Sequence, residues 1–132
     1  MSDEGIPSAV ALVIEDDDQI AHLLRFILQK EGYIVKTAED GRAAQKLIEA
    51  EPPPAVVTLD SMLPYLSGLE LLQLIRSKAE WENVPVLMLT AKSQERDITR
   101  ALDAGAAGYL VKPFKPQELR STIQRLVKGS AA

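Results

Sequence analysis

The residues able to do chemistry in this chain are few and lie far apart: the carboxylates Glu15, Asp16 and Asp60, the hydroxyl of Thr90 and the ammonium of Lys112. Each closes or follows a short apolar run. If folding gathers them, the three acids cannot all stay ionised unaided. Two like charges about 4 Å apart repel by roughly 4 kcal/mol at an effective dielectric near 20. Crowded carboxylates therefore hold protons unless a positive charge sits among them. A hard divalent cation answers that need. An all-oxygen site with one or two direct carboxylates and several retained waters suits Mg²⁺, and Mn²⁺ in its place. Such a cation beside an ammonium and a hydroxyl suits phosphoryl transfer, where the protein positions and neutralises the transferred group. An aspartate can itself be the nucleophile and become an acyl phosphate. Asp60, closing the run "VVTLD", is the best candidate for that role.

The elements that would position these groups alternate along the chain. "AVALVI" (9–14) is a continuous apolar run, as expected of a strand covered on both faces. Ile20, Leu23, Leu24, Ile27 and Leu28 follow at helical spacing, and Gly32 stands where a left-handed cap would end that helix. "YIVKT" (33–37) reads as the second strand, with Asp40 as N-cap of a short helix that "PPP" (52–54) ends. "AVVTL" (55–59) reads as the third strand. Ser67 and Glu70 form a capping box ahead of a leucine-rich helix. "VPVLMLT" (84–90) is the fourth strand; Ser93 can cap the next helix and Gly105 end it. "GYLV" (108–111) is the fifth strand, and Pro116 opens a last helix carrying Leu119, Ile123, Leu126 and Val127. Five such units imply an α/β fold, a doubly wound parallel sheet with right-handed crossovers and helices on both faces. Ligands of such folds gather outside the carboxyl ends of the strands, where the candidate residues stand.

Bulk composition narrows the classes. A chain of 132 residues is one domain of common size. We read residues 8–128 as the domain, with tails at 1–7 and 129–132. Hydrophobic residues at 46% and charged residues at 26% argue against disorder. The absence of cysteine excludes a disulfide scaffold, a thiolate zinc site and a cysteine nucleophile. No apolar run approaches the roughly 18 residues of a membrane span, and "MSDEGIPS" is too acidic and polar for a secretory leader. The expectation is a cytoplasmic protein without a membrane partner. A net charge of -4 without a basic stripe argues against direct nucleic-acid binding by this chain.

"ALVIEDD", "VVTLDSMLPYLSGLELL", "VPVLMLTA" and "GYLVKPF" are each weak signals, but in this order and at these spacings they are specific. Together they make the chain resemble the receiver domain of bacterial two-component response regulators. The resemblance implies a flavodoxin-like sheet of order 2-1-3-4-5 with five helices. It implies that Asp60 accepts the phosphoryl group, that Asp16 binds Mg²⁺ directly and that Glu15 acts through a metal-bound water. Asp60 and the backbone carbonyl of Met62 would complete the metal's protein ligands. Lys112 would pair with the phosphoryl oxygens, Thr90 would hydrogen-bond one of them, and Tyr109 would turn inward as Thr90 is drawn to the phosphate. The Lys112–Pro113 bond is expected to be cis, while Pro64 and Gly68 shape the loop after the acceptor. Implied partners are a histidine kinase or histidine phosphotransfer protein and a downstream output domain or effector.

Several of these residues have plainer readings. Asp17 and Asp18 are expected to cap or flank a helix, and the single histidine, His22, to lie on the surface. The face formed by the fourth helix, fifth strand and fifth helix keeps Arg96, Arg100, Asp103 and Arg120. It has Ala107 and Gly108 where the winged-helix subfamily commonly carries acids, so the charge-paired dimer of that subfamily is not expected. A homodimer of another kind stays open. Met62 and Lys92 flank the expected path of an attacking water without a carboxylate or amide, which implies slow self-dephosphorylation. A Mg²⁺-dependent phosphohydrolase is a competing class, disfavoured because Met62 stands where its general acid would be. An unphosphorylated interaction module is the other.

Overall fold

The computed structural model describes residues 9–91 and 94–131. In chain order the elements are β1 (Val10–Ile14), α1 (Asp18–Lys30), β2 (Ile34–Ala38), α2 (Gly41–Ala50), β3 (Val56–Asp60), α3 (Gly68–Ser77), a 3-10 turn (Ala79–Trp81), β4 (Val86–Thr90), α4 (Glu95–Asp103), β5 (Gly108–Val111) and α5 (Pro116–Ala131). All strand pairs are parallel, in the order β2-β1-β3-β4-β5. The expected doubly wound sheet is the one that forms.

Strand alternation sends side chains into two separate cores. Leu12, Ile14, Val57, Leu59 and Met88 meet α2, α3 and the buried face of α4. Ala11, Val13, Val56, Leu87 and Leu89 meet Leu24, Ile27 and Leu28 of α1 and Leu119 and Ile123 of α5. β3 and β4 are buried along their whole length, which is why their sequences are apolar on both faces.

Helix ends are set largely as their sequences imply. Asp17 accepts from the N–H groups of Gln19 and Ile20, Asp40 from that of Ala43, and Ser67 and Glu70 make a complete capping box. Gly32 and Gly105 take left-handed φ values of 98° and 112° at the ends of α1 and α4. The fit is looser elsewhere. Residue 94 occupies the N-cap of α4 without a side-chain bond, and the expected cap Ser93 lies outside the described residues, as does Lys92. Residues 129–131, expected as tail, continue α5, because nothing before Ala131 breaks the helix. Trp81 is buried in the 3-10 turn that leads into β4.

For the site, the important product of this packing is register. Ile14 pairs with Leu59, Asp60 with Leu89, and Thr90 with Val111. The ladder continues one step past the strands, with Glu15 N–H bonded to Ala38 O, Ser61 N–H to Leu89 O and Lys112 N–H to Thr90 O. Glu15 thus stands beside Asp60, and Ser61 beside Thr90, at one end of the sheet.

Gly68 lets α3 start directly against that end. A Cβ there would lie 2.5 Å from the Asp60 carbonyl oxygen and 2.7 Å from Ser61 Cα, with no flexible atom able to yield. Gly68→Ala should therefore destabilise the fold by about 1–3 kcal/mol, as overpacking against backbone does. Gly129, whose Cβ would meet nothing within 4 Å, provides the contrast. Gly129→Ala should stabilise by up to ~1 kcal/mol through helix propensity alone. Urea unfolding of the two variants checks the opposite signs.

Candidate functional site

The acids gather as the register requires. One carboxylate oxygen from each of Glu15, Asp16 and Asp60 can be chosen so that all lie within 4.8 Å of one another. Glu15 is 3% exposed and Asp60 6%, whereas Asp16 faces solvent. The Lys112 ammonium lies between the two buried acids, 3.0 Å from Glu15 Oε1 and 3.4 Å from Asp60 Oδ2. It donates to Glu15 Oε2 at 3.2 Å, and the N–H of Asp17 donates to the same oxygen at 3.3 Å. Asp60 Oδ1 accepts the Met62 N–H at 3.1 Å.

Three carboxylates face one ammonium, and the protonation equilibria register the imbalance. Burial pushes the Glu15 carboxyl up to about 7, with a hydrogen bond and the charge of Asp60 adding to the rise and Lys112 opposing it. Desolvation, then the hydrogen bond and charge of Asp60, raise Asp16 as well. Burial alone would lower the Lys112 ammonium. The hydrogen bond and charge of Glu15, with those of Asp60, outweigh it and hold Lys112 above its ordinary value.

The donor set fits a hard cation. All the side-chain donors are oxygen, and the buried Glu15 Oε1 accepts no hydrogen bond although it is close to the ammonium. A cation, or a water bound to one, would satisfy that oxygen and remove the excess negative charge.

The remaining residues fall around this centre. Thr90 is 1% exposed, and its hydroxyl accepts from Ser61 Oγ at 2.5 Å. Tyr109 is half-buried; burial raises its phenol, and the neighbouring Thr90 partly offsets the rise. Met62 exposes its side chain in the loop after β3. The Lys112–Pro113 bond is cis, as expected.

Three features of the site carry no motif. Ser61 is visible only once the β3–β4 register sets it beside Thr90. Tyr65 adopts a left-handed φ of 75° in a tight turn closed by Leu66 N–H to Pro64 O at 2.9 Å. The Arg42 guanidinium stacks 4.2 Å from the Tyr65 ring centre, and Gly41 N–H donates to Pro64 O, so the start of α2 pins the loop after Asp60. Asparagine or glycine at position 65 would have signalled the turn; tyrosine hides it.

The sequence family agrees with this geometry. The family model for the response regulator receiver domain matches residues 11–124. This chain belongs to that family. The alkaline phosphatase synthesis transcriptional regulatory protein PhoP of Bacillus subtilis (strain 168) is 40% identical over 119 residues, covering 90% of this chain and 48% of that protein. The chain thus spans about half the length of the curated relatives it matches. Among solved structures, the chemotaxis response regulator CheY4 of Vibrio cholerae is 32% identical with a TM-score of 0.85, covering 91% of this chain and 99% of that one. The receiver domain of a sensor histidine kinase of Pseudomonas aeruginosa PAO1, solved with a magnesium ion in its active-site cleft, is 30% identical with a TM-score of 0.82, covering 92% and 99%.

The raised Glu15 carboxyl has a consequence for stability. Its folded-state value of about 7 exceeds the ordinary 4.5, so between these values the folded chain holds a proton that the unfolded chain has released. Its contribution is present at low pH and is lost as pH rises through about 7. In chelator, the melting temperature should fall over that window, Glu15→Gln should flatten the fall, and millimolar Mg²⁺ should reverse it at the alkaline end. Thermal melts across pH with and without metal check the sign.

Proposed function

We propose that this receiver domain is a phosphorylation-dependent switch whose acceptor is Asp60. The observation that carries the reading is the Lys112 ammonium set between the buried carboxylates of Glu15 and Asp60, with the Asp16 carboxylate alongside. This is a site organised around negative charge at one strand end. An Asp60 carboxylate oxygen attacks phosphorus, the bond from phosphorus to the donor's imidazole nitrogen breaks, and the imidazole leaves with the electron pair. Lys112 then pairs with the phosphoryl oxygens and Thr90 donates to one of them, each a charge-assisted bond. Glu15, Asp16, Asp60 and the Met62 carbonyl would hold Mg²⁺, or Mn²⁺ in its place. When bound, the cation supplies positive charge to the oxygens of the transferred group.

The switch unit is residues 8–128, and it works in the cytoplasm. No described helix is long and apolar enough to cross a membrane. The donor is a histidine kinase or histidine phosphotransfer protein. The receiver of the new state is an output domain or separate effector at the face of α4, β5 and α5. A crevice of about 110 Å³ between the start of α3, α4 and β5, lined in part by Ser61, Met88, Ala101 and Tyr109, leaves room for the aromatic to move. This face does not carry the charge pairing of the winged-helix subfamily, so self-association through it would need other contacts. Direct nucleic-acid contact is not part of the reading.

Incubation with Mg²⁺ and acetyl phosphate should add one phosphoryl group by intact mass spectrometry, and Asp60→Asn or removal of metal should abolish the gain. Uptake in Asp60→Asn would move the acceptor elsewhere. Repeated turnover of a generic phosphate ester would point to a hydrolase instead. The phosphorylated protein, freed of donor, should keep its group for minutes or longer, because the Met62 side chain offers no carboxylate or amide to orient water. Loss within seconds would overturn that expectation.

A further inference from the structure

Arg42 lies in the first turn of α2, where a helix favours negative charge, and no carboxylate pairs with it among the described residues. Its partner is the ring of Tyr65, 4.2 Å away in the loop after Asp60. Tyr65 has a left-handed φ of 75° at the centre of a turn closed by Leu66 N–H to Pro64 O at 2.9 Å. A turn of this hand is rare and strained, and a residue other than glycine holds it only where its surroundings impose it. α2 imposes it. Gly41 N–H, a donor that the start of a helix leaves without a partner in its own helix, bonds to the same Pro64 O at 3.0 Å. A Cβ on Gly41 would lie 2.5 Å from Leu66 Cβ and 2.6 Å from Leu66 N, so the helix meets the turn without a gap.

The loop held in this way is residues 61–67, closed at its base by Gly68 N–H to Ser61 O at 3.1 Å. It carries Met62, whose N–H donates to Asp60 Oδ1 at 3.1 Å and whose carbonyl is the backbone ligand in the metal reading above. We propose that Arg42 and Tyr65 are positioning residues for the cation, a clamp that holds the strained turn and, through it, the loop that carries Met62. The inference rests on the metal reading and deepens it. Neither residue is a ligand. If the clamp opens, the loop spends less of its time competent to bind, and the apparent dissociation constant rises in inverse proportion to that fraction.

Titration calorimetry with Mg²⁺ alone tests the clamp in the wild type, Arg42→Ala, Tyr65→Ala, Tyr65→Phe, Tyr65→Gly and the double variants that combine Arg42→Ala with Tyr65→Ala or Tyr65→Gly. An exposed cation–ring contact is modest, so Arg42→Ala should bind Mg²⁺ about twofold to fivefold more weakly. Charge alone acts the other way, because taking a positive group from the neighbourhood of a cation strengthens its binding or leaves it unchanged. The sign therefore separates positioning from electrostatics. Tyr65→Ala should show the same loss, and its combination with Arg42→Ala should be no weaker than either single variant. Tyr65→Phe, which keeps the ring, should bind as the wild type does. Glycine takes the left-handed turn without strain, so in the Tyr65→Gly background Arg42→Ala should no longer weaken binding. The clamp is overturned if Arg42→Ala binds Mg²⁺ as tightly as the wild type or more tightly. It is overturned equally if the two single losses add in the alanine double variant, if Tyr65→Phe loses as much as Tyr65→Ala, or if the Arg42→Ala loss persists beside glycine. A wild type that binds no Mg²⁺ overturns the metal reading and the clamp together, whereas normal wild-type binding with unchanged variants overturns the clamp alone.

Discussion

Lys112 holds the site together by sitting between two acids that could not otherwise share a buried corner. Glu15 follows β1 and Lys112 follows β5, three strand spacings apart in the sheet. At about 4.8 Å per spacing the backbones are roughly 14 Å apart, so the lysine must lie back across the ends of β3 and β4 to reach Glu15. It can do so only if all four strands finish level. A slip of one residue in any pairing would also turn alternate side chains to the wrong core. The two hydrophobic cores therefore enforce the register, and the register delivers the charge contact. Taking ionised groups out of water costs several kcal/mol each, so the contact is more a condition the fold satisfies than a source of its stability.

Much of this architecture was legible in the sequence because its causes are local. Apolar runs of four to seven residues, separated by helical periodicity, give strands covered on both sides, and the sheet order came from the family resemblance. Asp17, Asp40 and Ser67 announce helix starts because a side-chain oxygen satisfies backbone N–H groups a few positions on. Asp60, Glu15, Asp16, Thr90 and Lys112 were legible as one set because each stands at the end of an apolar run, and a parallel sheet sends all such ends the same way. The structure adds an environment that spacing does not show: of the adjacent acids, Glu15 is buried against Lys112 and Asp16 faces solvent.

What was not legible depends on contacts between distant segments. The Arg76 guanidinium is spread over the carbonyls of Gly105, Trp81 and Glu82 and so ties the end of α3 to the loops before β4 and β5. In the sequence it is one arginine among several. Tyr65 shows the same limit. Its left-handed backbone is unfavourable for a side chain, and the stacking of Arg42 and the bond from Gly41 N–H to Pro64 O that help hold it come from α2. Neither feature leaves a pattern of spacing, because the partners meet only after the sheet is assembled.

The same dependence on assembled contacts explains how a small chemical event could move a surface. Shifting a two-state equilibrium from about 1:99 to 99:1 takes roughly 5.5 kcal/mol of preference for one state. Two or three new hydrogen bonds to a doubly charged group, each worth about 1.5–3 kcal/mol, are of that size. The cavity beside Ser61 and Tyr109 is lined in part by Asp97, Arg100 and Ala101 of α4. That cavity borders the helix whose one fully buried residue is Ala101. With so little apolar area holding α4 to the sheet, its position has a low energetic resistance to displacement. The site is stiff where three acids and a lysine must stay in register, and one helix away the fold is held by far less buried apolar area.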